Sequence, residues 1–143
     1  MQWINDIVTG LIEVYGTNNP YEICDYMNIK VKKVEPNNCI LANNNSVYIR
    51  NYFNSEVIFI RNDLSHKYEE FYIRHELGHA ILHTNIINTG LINIDKLEKQ
   101  ANYFAFKLSQ INFDIVELEQ LTIDQISCCL EIPLSALKQI YQF

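Results

Sequence analysis

The segment FYIRHELGHAILH constrains the fold more than any other stretch of the chain, because it places His75, His79 and His83 four residues apart. In an α-helix, residues i and i+4 lie one turn apart on the same face. A helix would therefore allow His75 and His79 to bind one metal ion together. Glu76 lies about 100° around the helix from His75, where its carboxylate can act as a general base rather than as a third ligand.

The third histidine of the segment is expected to lie outside the metal site. His75 and His83 are about 12 Å apart along a continuous helix that rises 1.5 Å per residue. Metalloproteases that use a third histidine break the helix with a glycine, and this chain has Leu82 at that position. We therefore expect His83 to cap the helix or to line a pocket.

A carboxylate from a neighbouring element is the expected third ligand, which would complete the His2Glu set of zinc hydrolases. A second helix, predicted over about 95–108, carries Glu98 at the border of its apolar stripe. The residues that follow along this border are small and would let the two helices approach closely: Ala101, Asn102 and Ala105. Glu98 is favoured as the ligand, Asp95 is the competitor, and an ordinary exposed glutamate is the alternative.

The histidine helix itself is predicted from Ser65, as its N-cap, to about His83. Gly78 lies in the middle of this helix, where glycine costs about 1 kcal/mol relative to alanine. Another backbone passing close to Gly78 would explain why a glycine stands there.

The rest of the chain predicts an α+β fold, in which helices pack on a small antiparallel sheet of about three strands. Trp3, Ile7, Leu11 and Val14 recur at helical intervals, and Pro20 opens a second short helix. The β-rich runs are IKVKKV, CILA, SVYIR and EVIFIR, and the last is apolar on both faces. One domain is predicted over 1–143, with N-terminal helices in 1–28, the sheet in 29–61, the metal-site helices in 65–110 and C-terminal helices in 111–143.

The composition limits the classes of partner. The net charge of −6, without a basic cluster, argues against direct binding to nucleic acid. The chain shows neither a long apolar run nor a signal peptide, so we expect a cytoplasmic protein without a membrane partner. The four cysteines lack paired spacing and are expected to be reduced thiols. The oligomeric state is not predicted by the sequence.

Two motifs, HELGHAILH and EKQANYFA, together resemble the ImmA/IrrE family of zinc metallopeptidases. That family pairs an H-E-x-x-H helix with a downstream E-x-x-A-N-x-F-A helix, and residues 98–105 match the second pattern at every position. The resemblance extends to GTNNPYEICDYMNIKV near the N-terminus and to the order of the elements. It is closest to the short ImmA-like proteins of phages and integrative elements. It implies a zincin-like fold with Glu98 as the third ligand.

The resemblance also implies a function: a zinc-dependent endopeptidase with one Zn²⁺ that cleaves a helix-turn-helix repressor of a phage or mobile element and so relieves repression. Glu76 would accept a proton from the attacking water and deliver it to the leaving amine. Residues that could contact the transition state or line the pocket are His83, Tyr72 and Tyr103. The substrate would bind as an extended strand along the edge of the sheet.

Two alternative functions stay open. A metal-binding module without catalytic activity could sequester a repressor, although a site of that kind has no need of Glu76. The segment 121–141 also has the apolar rhythm of a DNA-binding helix-turn-helix, but only Lys107 and Lys138 are basic from residue 101 onward. Two basic residues are too few to bind the phosphates of DNA well. The segment is therefore predicted to pack against the domain or to dock a repressor.

Overall fold

The computed structural model describes residues 1–84, 93–112 and 115–141, without the side chains of residues 115 and 116. Seven helices and three strands lie in these ranges, and a 3₁₀ turn spans Cys39–Leu41. In chain order they are α1 (Gln2–Tyr15), α2 (Pro20–Tyr26), β1 (Ile29–Val34), β2 (Ser46–Tyr52), β3 (Ser55–Arg61), α3 (His66–Leu82), α4 (Ile94–Leu108), α5 (Ile115–Leu118), α6 (Ile123–Leu130) and α7 (Leu134–Tyr141). The predicted α+β class is confirmed.

The sheet is mixed, so the prediction of an antiparallel sheet is wrong for one of its two strand pairs. The strand order is β1-β3-β2, with β2 antiparallel to β3 and β1 parallel to it. A tight turn with positive φ at Phe53 and Asn54 joins β2 to β3 and fixes the antiparallel pair. β3 is the most apolar strand and takes the central position, so β1 must pair with the other edge of β3.

The CILA run, predicted as a β segment, forms the 3₁₀ turn instead. The side chain of Asn38 accepts a hydrogen bond from the Ile40 backbone N–H at 3.0 Å, and Ala42 ends the turn in the left-handed region. This local hydrogen bond competes with strand pairing. The turn carries the buried Leu41 onto one face of the sheet.

Apolar side chains cover β3 on both faces, as its sequence predicts. Ile58 and Ile60 pack in a core cluster with residues of α3 such as Ile73, and that cluster extends to α1 and α2. Val57 and Phe59 point to the opposite face and pack with Leu41. The packing of β3 against α3 thereby fixes the position of α3, and with it the histidines of that helix, relative to the sheet.

The apolar face of α1 differs from the predicted stripe. Ile4 and Val8 are buried, whereas Trp3 is 45% and Val14 77% exposed. The side of α1 that carries Ile4 and Val8 therefore faces the core. Trp3 and Val14 lie at the border of this buried face.

The C-terminal helices α6 and α7 pack against the rest of the domain, in agreement with one part of the prediction for this segment. Ile126, Ile132 and Leu137 are buried in a cluster with Phe71 of α3 and Ala105 of α4. The pair therefore forms part of the core around the two central helices. Among the residues that the structure describes, no helix is both long and apolar enough to cross a lipid bilayer.

Candidate metal centre

The helix α3 carries both histidines of the H-E-x-x-H motif on one continuous segment that runs to Leu82. His75 and His79 lie one turn apart, with ring centroids 4.7 Å from each other. His75 is buried, as is Glu76, whereas His79 is partly exposed. Both imidazoles thus face the same side of the helix, as the spacing predicts.

A close contact between α3 and α4 brings the carboxylate of Glu98 to the histidines. A Cβ atom built on Gly78 would lie 3.1 Å from the Ala101 Cα and 3.3 Å from its carbonyl oxygen. The expectation that a neighbouring backbone explains this glycine is therefore confirmed. Ala101 and Ala105 are fully buried in the contact, in agreement with the small residues seen in the sequence.

Three side chains that could hold a metal ion converge where the two helices meet. The Nε2 atom of His75 lies 3.3 Å from Glu98 Oε2, and the Nε2 atom of His79 lies 3.2 Å from Glu98 Oε1. The two Nε2 atoms are 3.1 Å apart. The three groups offer ligand atoms that all lie within 4.8 Å of one another. Asp95, the competing carboxylate, is exposed and stands outside this group.

Hydrogen bonds behind His75 orient its ring in the manner a metal ligand requires. Asn102 donates through Nδ2 to Gln139 Oε1 at 2.6 Å, which turns its Oδ1 toward His75 Nδ1 at 2.8 Å. Because Asn102 Oδ1 can only accept, Nδ1 of His75 is the protonated nitrogen. The lone pair of a neutral His75 then lies on Nε2, so the residues present fit a divalent metal ion.

His83 forms a similar contact with the other histidine of the motif. Its Nδ1 atom lies 3.0 Å from His79 Nδ1, and its Nε2 atom lies 3.1 Å from Gln100 Oε1. His83 is also the C-cap residue of α3. Both of its ring nitrogens are thus engaged away from the convergence point, which agrees with the expectation that it caps the helix or lines a pocket.

Glu76 is held by a residue that the sequence analysis did not identify. Ser46 of β2 donates its hydroxyl to Glu76 Oε1 at 2.6 Å, and both side chains are buried. The two residues are 30 positions apart in the chain, and a lone serine at the start of a strand carries no signal for such a contact. Asn102, by contrast, lies four residues after Glu98 on α4, a spacing that could have indicated its place.

A cleft of about 910 Å³ opens over these groups. Its floor is α3, one wall is β2 with the preceding loop, and the other wall combines α4 with α7. Tyr72 and His83 line the cleft. Tyr103 lies outside this lining and donates its hydroxyl to Asn5 Oδ1 at 3.0 Å. Of the three pocket candidates, two therefore face the cleft.

The ionisable groups of the centre shift one another's pKa values. Hydrogen bonds from His75 and then from His79 hold the pKa of Glu98 well below its usual range. Burial by itself lowers the pKa of His75, but the hydrogen bond to Glu98 and the charges of Glu76 and Glu98 outweigh burial, so this pKa is raised. Burial lowers the pKa of His83. Without a metal ion, the site thus favours the ionised carboxylate of Glu98 beside the protonated imidazole of His75.

Comparisons with known proteins indicate the family to which the chain is similar. The peptidase family described as IrrE N-terminal-like domain matches residues 24–138. A protein of Bacillus subtilis named Metallopeptidase ImmA is 31% identical over 137 residues, which cover 88% of this chain and 76% of that relative. An immunity region protein of Bacillus phage phi105 is 31% identical over 138 residues, which cover 91% of this chain and 84% of that protein. No solved structure matches the chain.

Proposed function

Because the chain belongs to the ImmA/IrrE family of metallopeptidases, we propose that it is a zinc-dependent endopeptidase that cleaves a helix-turn-helix repressor. The observation that carries the proposal is the convergence of His75, His79 and Glu98 beside a buried Glu76. Two nitrogen ligands and one carboxylate form the set that leaves a coordination position open in catalytic zinc sites.

Each polar residue of the centre has a role in this proposal. His75, His79 and Glu98 would hold the ion. Zinc in such a site polarises a carbonyl group and lowers the pKa of water toward about 7. Glu76 takes a proton from the attacking water as the carbonyl carbon gains its new C–O bond. The same carboxyl group then gives the proton to the amine nitrogen as the C–N bond breaks.

The edge strand β2 offers a way to bind the substrate. Only one edge of β2 pairs with another described strand, and several of its residues line the cleft. A substrate segment in extended conformation can add to such an edge through backbone hydrogen bonds, which tolerate many sequences. Tyr72 and His83 lie close enough to the cleft to contact a substrate bound there, and we propose pocket roles for these two rather than for Tyr103.

The names of the relatives support the proposed substrate. One is named as a metallopeptidase and the other as an immunity region protein of a phage. The phage immunity name, together with the resemblance of the two motifs to ImmA-like proteins, supports a helix-turn-helix repressor as the substrate. The packing of α6 and α7 into the core gives no support to a DNA-binding function for this segment.

The test is to incubate the zinc-loaded protein with the repressor encoded beside its gene and to follow the products by mass spectrometry. We expect one or a few defined cleavages, which Glu76→Gln slows by about 100- to 10,000-fold, the usual contribution of general acid–base catalysis, although this variant still binds zinc. An intact repressor, with partner and metal content verified, would contradict the proposal. Loss of repression in cells by Glu76→Gln without cleavage would support the sequestering module instead.

A further inference from the structure

We propose that Ser46 is a positioning residue for Glu76, an inference that rests on the proposed peptidase function. The hydroxyl group of Ser46 lies 2.6 Å from Glu76 Oε1. Ser46 is 7% and Glu76 5% exposed, so water competes poorly for this hydrogen bond. The contact joins a side chain of β2 directly to the proposed base.

The chemistry of the pair fixes the direction of the hydrogen bond. An ionised carboxylate only accepts hydrogen bonds, so the Ser46 hydroxyl must be the donor. Hydrogen bonds to a charged acceptor are shorter and stronger than those between neutral groups, in agreement with the 2.6 Å separation. The bond uses one lone pair of Glu76 Oε1, and in this proposal the proton from the attacking water goes to the other oxygen, Oε2.

The backbone of Ser46 is held firmly enough to serve as an anchor. Ser46 pairs with Ile60 of the central strand, which is fully buried. The neighbouring Asn45 accepts a hydrogen bond at its carbonyl oxygen from the Arg61 backbone N–H at 3.1 Å. A side chain on a paired strand holds its partner more accurately than one on a loop.

The contact belongs to a series that joins α3 to the wall of the cleft at three successive turns. Asn45 donates to the Tyr72 hydroxyl at 2.8 Å, one turn before Glu76. Arg50 donates to the Ala80 carbonyl oxygen at 3.1 Å, one turn after Glu76. The series fixes β2 relative to α3. Because a substrate strand would pair with β2, the Ser46 hydroxyl links the base to the strand that sets the position of the substrate.

The test compares three variants at position 46 with the repressor as substrate. We expect Ser46→Ala to lower kcat by about 10- to 100-fold, since a displacement of about 1 Å can cost that much. KM and zinc affinity should stay within about threefold of the wild type. Ser46→Cys keeps the size of the side chain but is only a weak donor, and it should lose most of the same activity. Ser46→Thr retains the hydroxyl and should restore kcat.

Two further measurements separate positioning from a general structural role. In the Glu76→Gln background, Ser46→Ala should cause no additional loss, because residues that act as a unit are not additive. Ser55→Ala, a serine at the start of β3 outside the cleft, is the matched control and should keep wild-type kcat. Melting temperatures identify any variant that fails to fold. If Ser46→Ala does not fold, the kcat of Ser46→Cys tests the positioning role instead.

The outcomes distinguish this inference from the function on which it rests. If the wild type cleaves the repressor and both Ser46→Ala and Ser46→Cys cleave it at the same kcat, the role of Ser46 is wrong and the peptidase stands. A fall in kcat that Ser46→Thr does not restore, or an equal fall in the Glu76→Gln background, also overturns the positioning role. If the zinc-loaded wild type cleaves nothing, the proposed function itself fails.

Discussion

Gly78 of α3 and Ala101 of α4 are packed so closely that a Cβ atom on the glycine would lie 3.1 Å from the Ala101 Cα. The same hypothetical atom would lie 3.2 Å from Phe104 Cδ1. This contact sets the separation of the two helices that carry His79 and Glu98. The convergence of His79 and Glu98 therefore depends on the absence of a side chain at Gly78.

Substitution of this glycine should open the contact. We expect Gly78→Ala to destabilise the protein by about 1 to 3 kcal/mol, as overpacked cores do, despite the better helix propensity of alanine. Zinc affinity should fall as well. Denaturant unfolding and chelator competition measure the two effects. Gly10→Ala in α1 is the control, since nothing lies within 4 Å of its added Cβ, and it should be stabilising by up to about 1 kcal/mol. Equal effects of the two variants would contradict the account.

Asn102 should govern zinc affinity through the orientation of His75. Asn102→Leu keeps a similar volume but removes the acceptor from His75 Nδ1, and we expect a loss of about 10- to 100-fold in affinity. Asn102→Asp keeps an acceptor and should bind zinc at least ten times more tightly than Asn102→Leu. Competition with a chelator of known affinity provides the measurement. Equal zinc affinities of the two variants would show that this hydrogen bond has no role.

The metal-free protein should show a pH-dependent contribution from Glu98. The pKa of Glu98 is lowered in the folded state, so its stabilising effect is present above the unfolded pKa of about 4.3 and is lost as the pH falls. The pKa of His75 is raised, so its effect is present below about 6.5 and is lost as the pH rises. The two windows overlap between about pH 4.3 and 6.5.

The difference in melting temperature between the wild type and Glu98→Gln, both treated with chelator, should therefore be largest in that window. It should shrink on either side. Asp95→Asn removes the same charge from an exposed position on the same helix and should give a small difference without such a maximum. A Glu98→Gln difference that keeps rising toward high pH would contradict the proposed pairing.

The four thiols should differ in reactivity. Cys39, Cys128 and Cys129 are exposed. Burial, together with the charge of Asp25, raises the pKa of Cys24 to about 12, so this thiol has little thiolate at neutral pH. A thiol reagent should modify three groups in the native protein and the fourth only after unfolding. Cys39→Ser should reduce the native number to two. Rapid reaction of all four native thiols would refute the burial of Cys24.

Much of the centre could be predicted because its geometry is local. The period of the α-helix brings His75 and His79 together, and its rise separates His83 from His75 by about 12 Å along the axis. The small residues around Ala101 indicated a close helix contact. The parallel pairing of β1 could not be predicted in this way, because strand order depends on which strand best fills the middle of the sheet. Ser46 was missed for a related reason, since its contact with Glu76 exists only after β2 has docked on α3.

Anomalous diffraction at the zinc edge from crystals of the zinc-loaded protein tests most directly whether His75, His79 and Glu98 share one ion. We expect one strong peak shared by His75 Nε2, His79 Nε2 and a Glu98 oxygen, each at about 2.0 to 2.2 Å. Glu76 should lie beside this peak without binding to it. A peak bound by His83 or Glu76 in place of Glu98, or a peak away from the two histidines, would rule out the proposed set of three ligands.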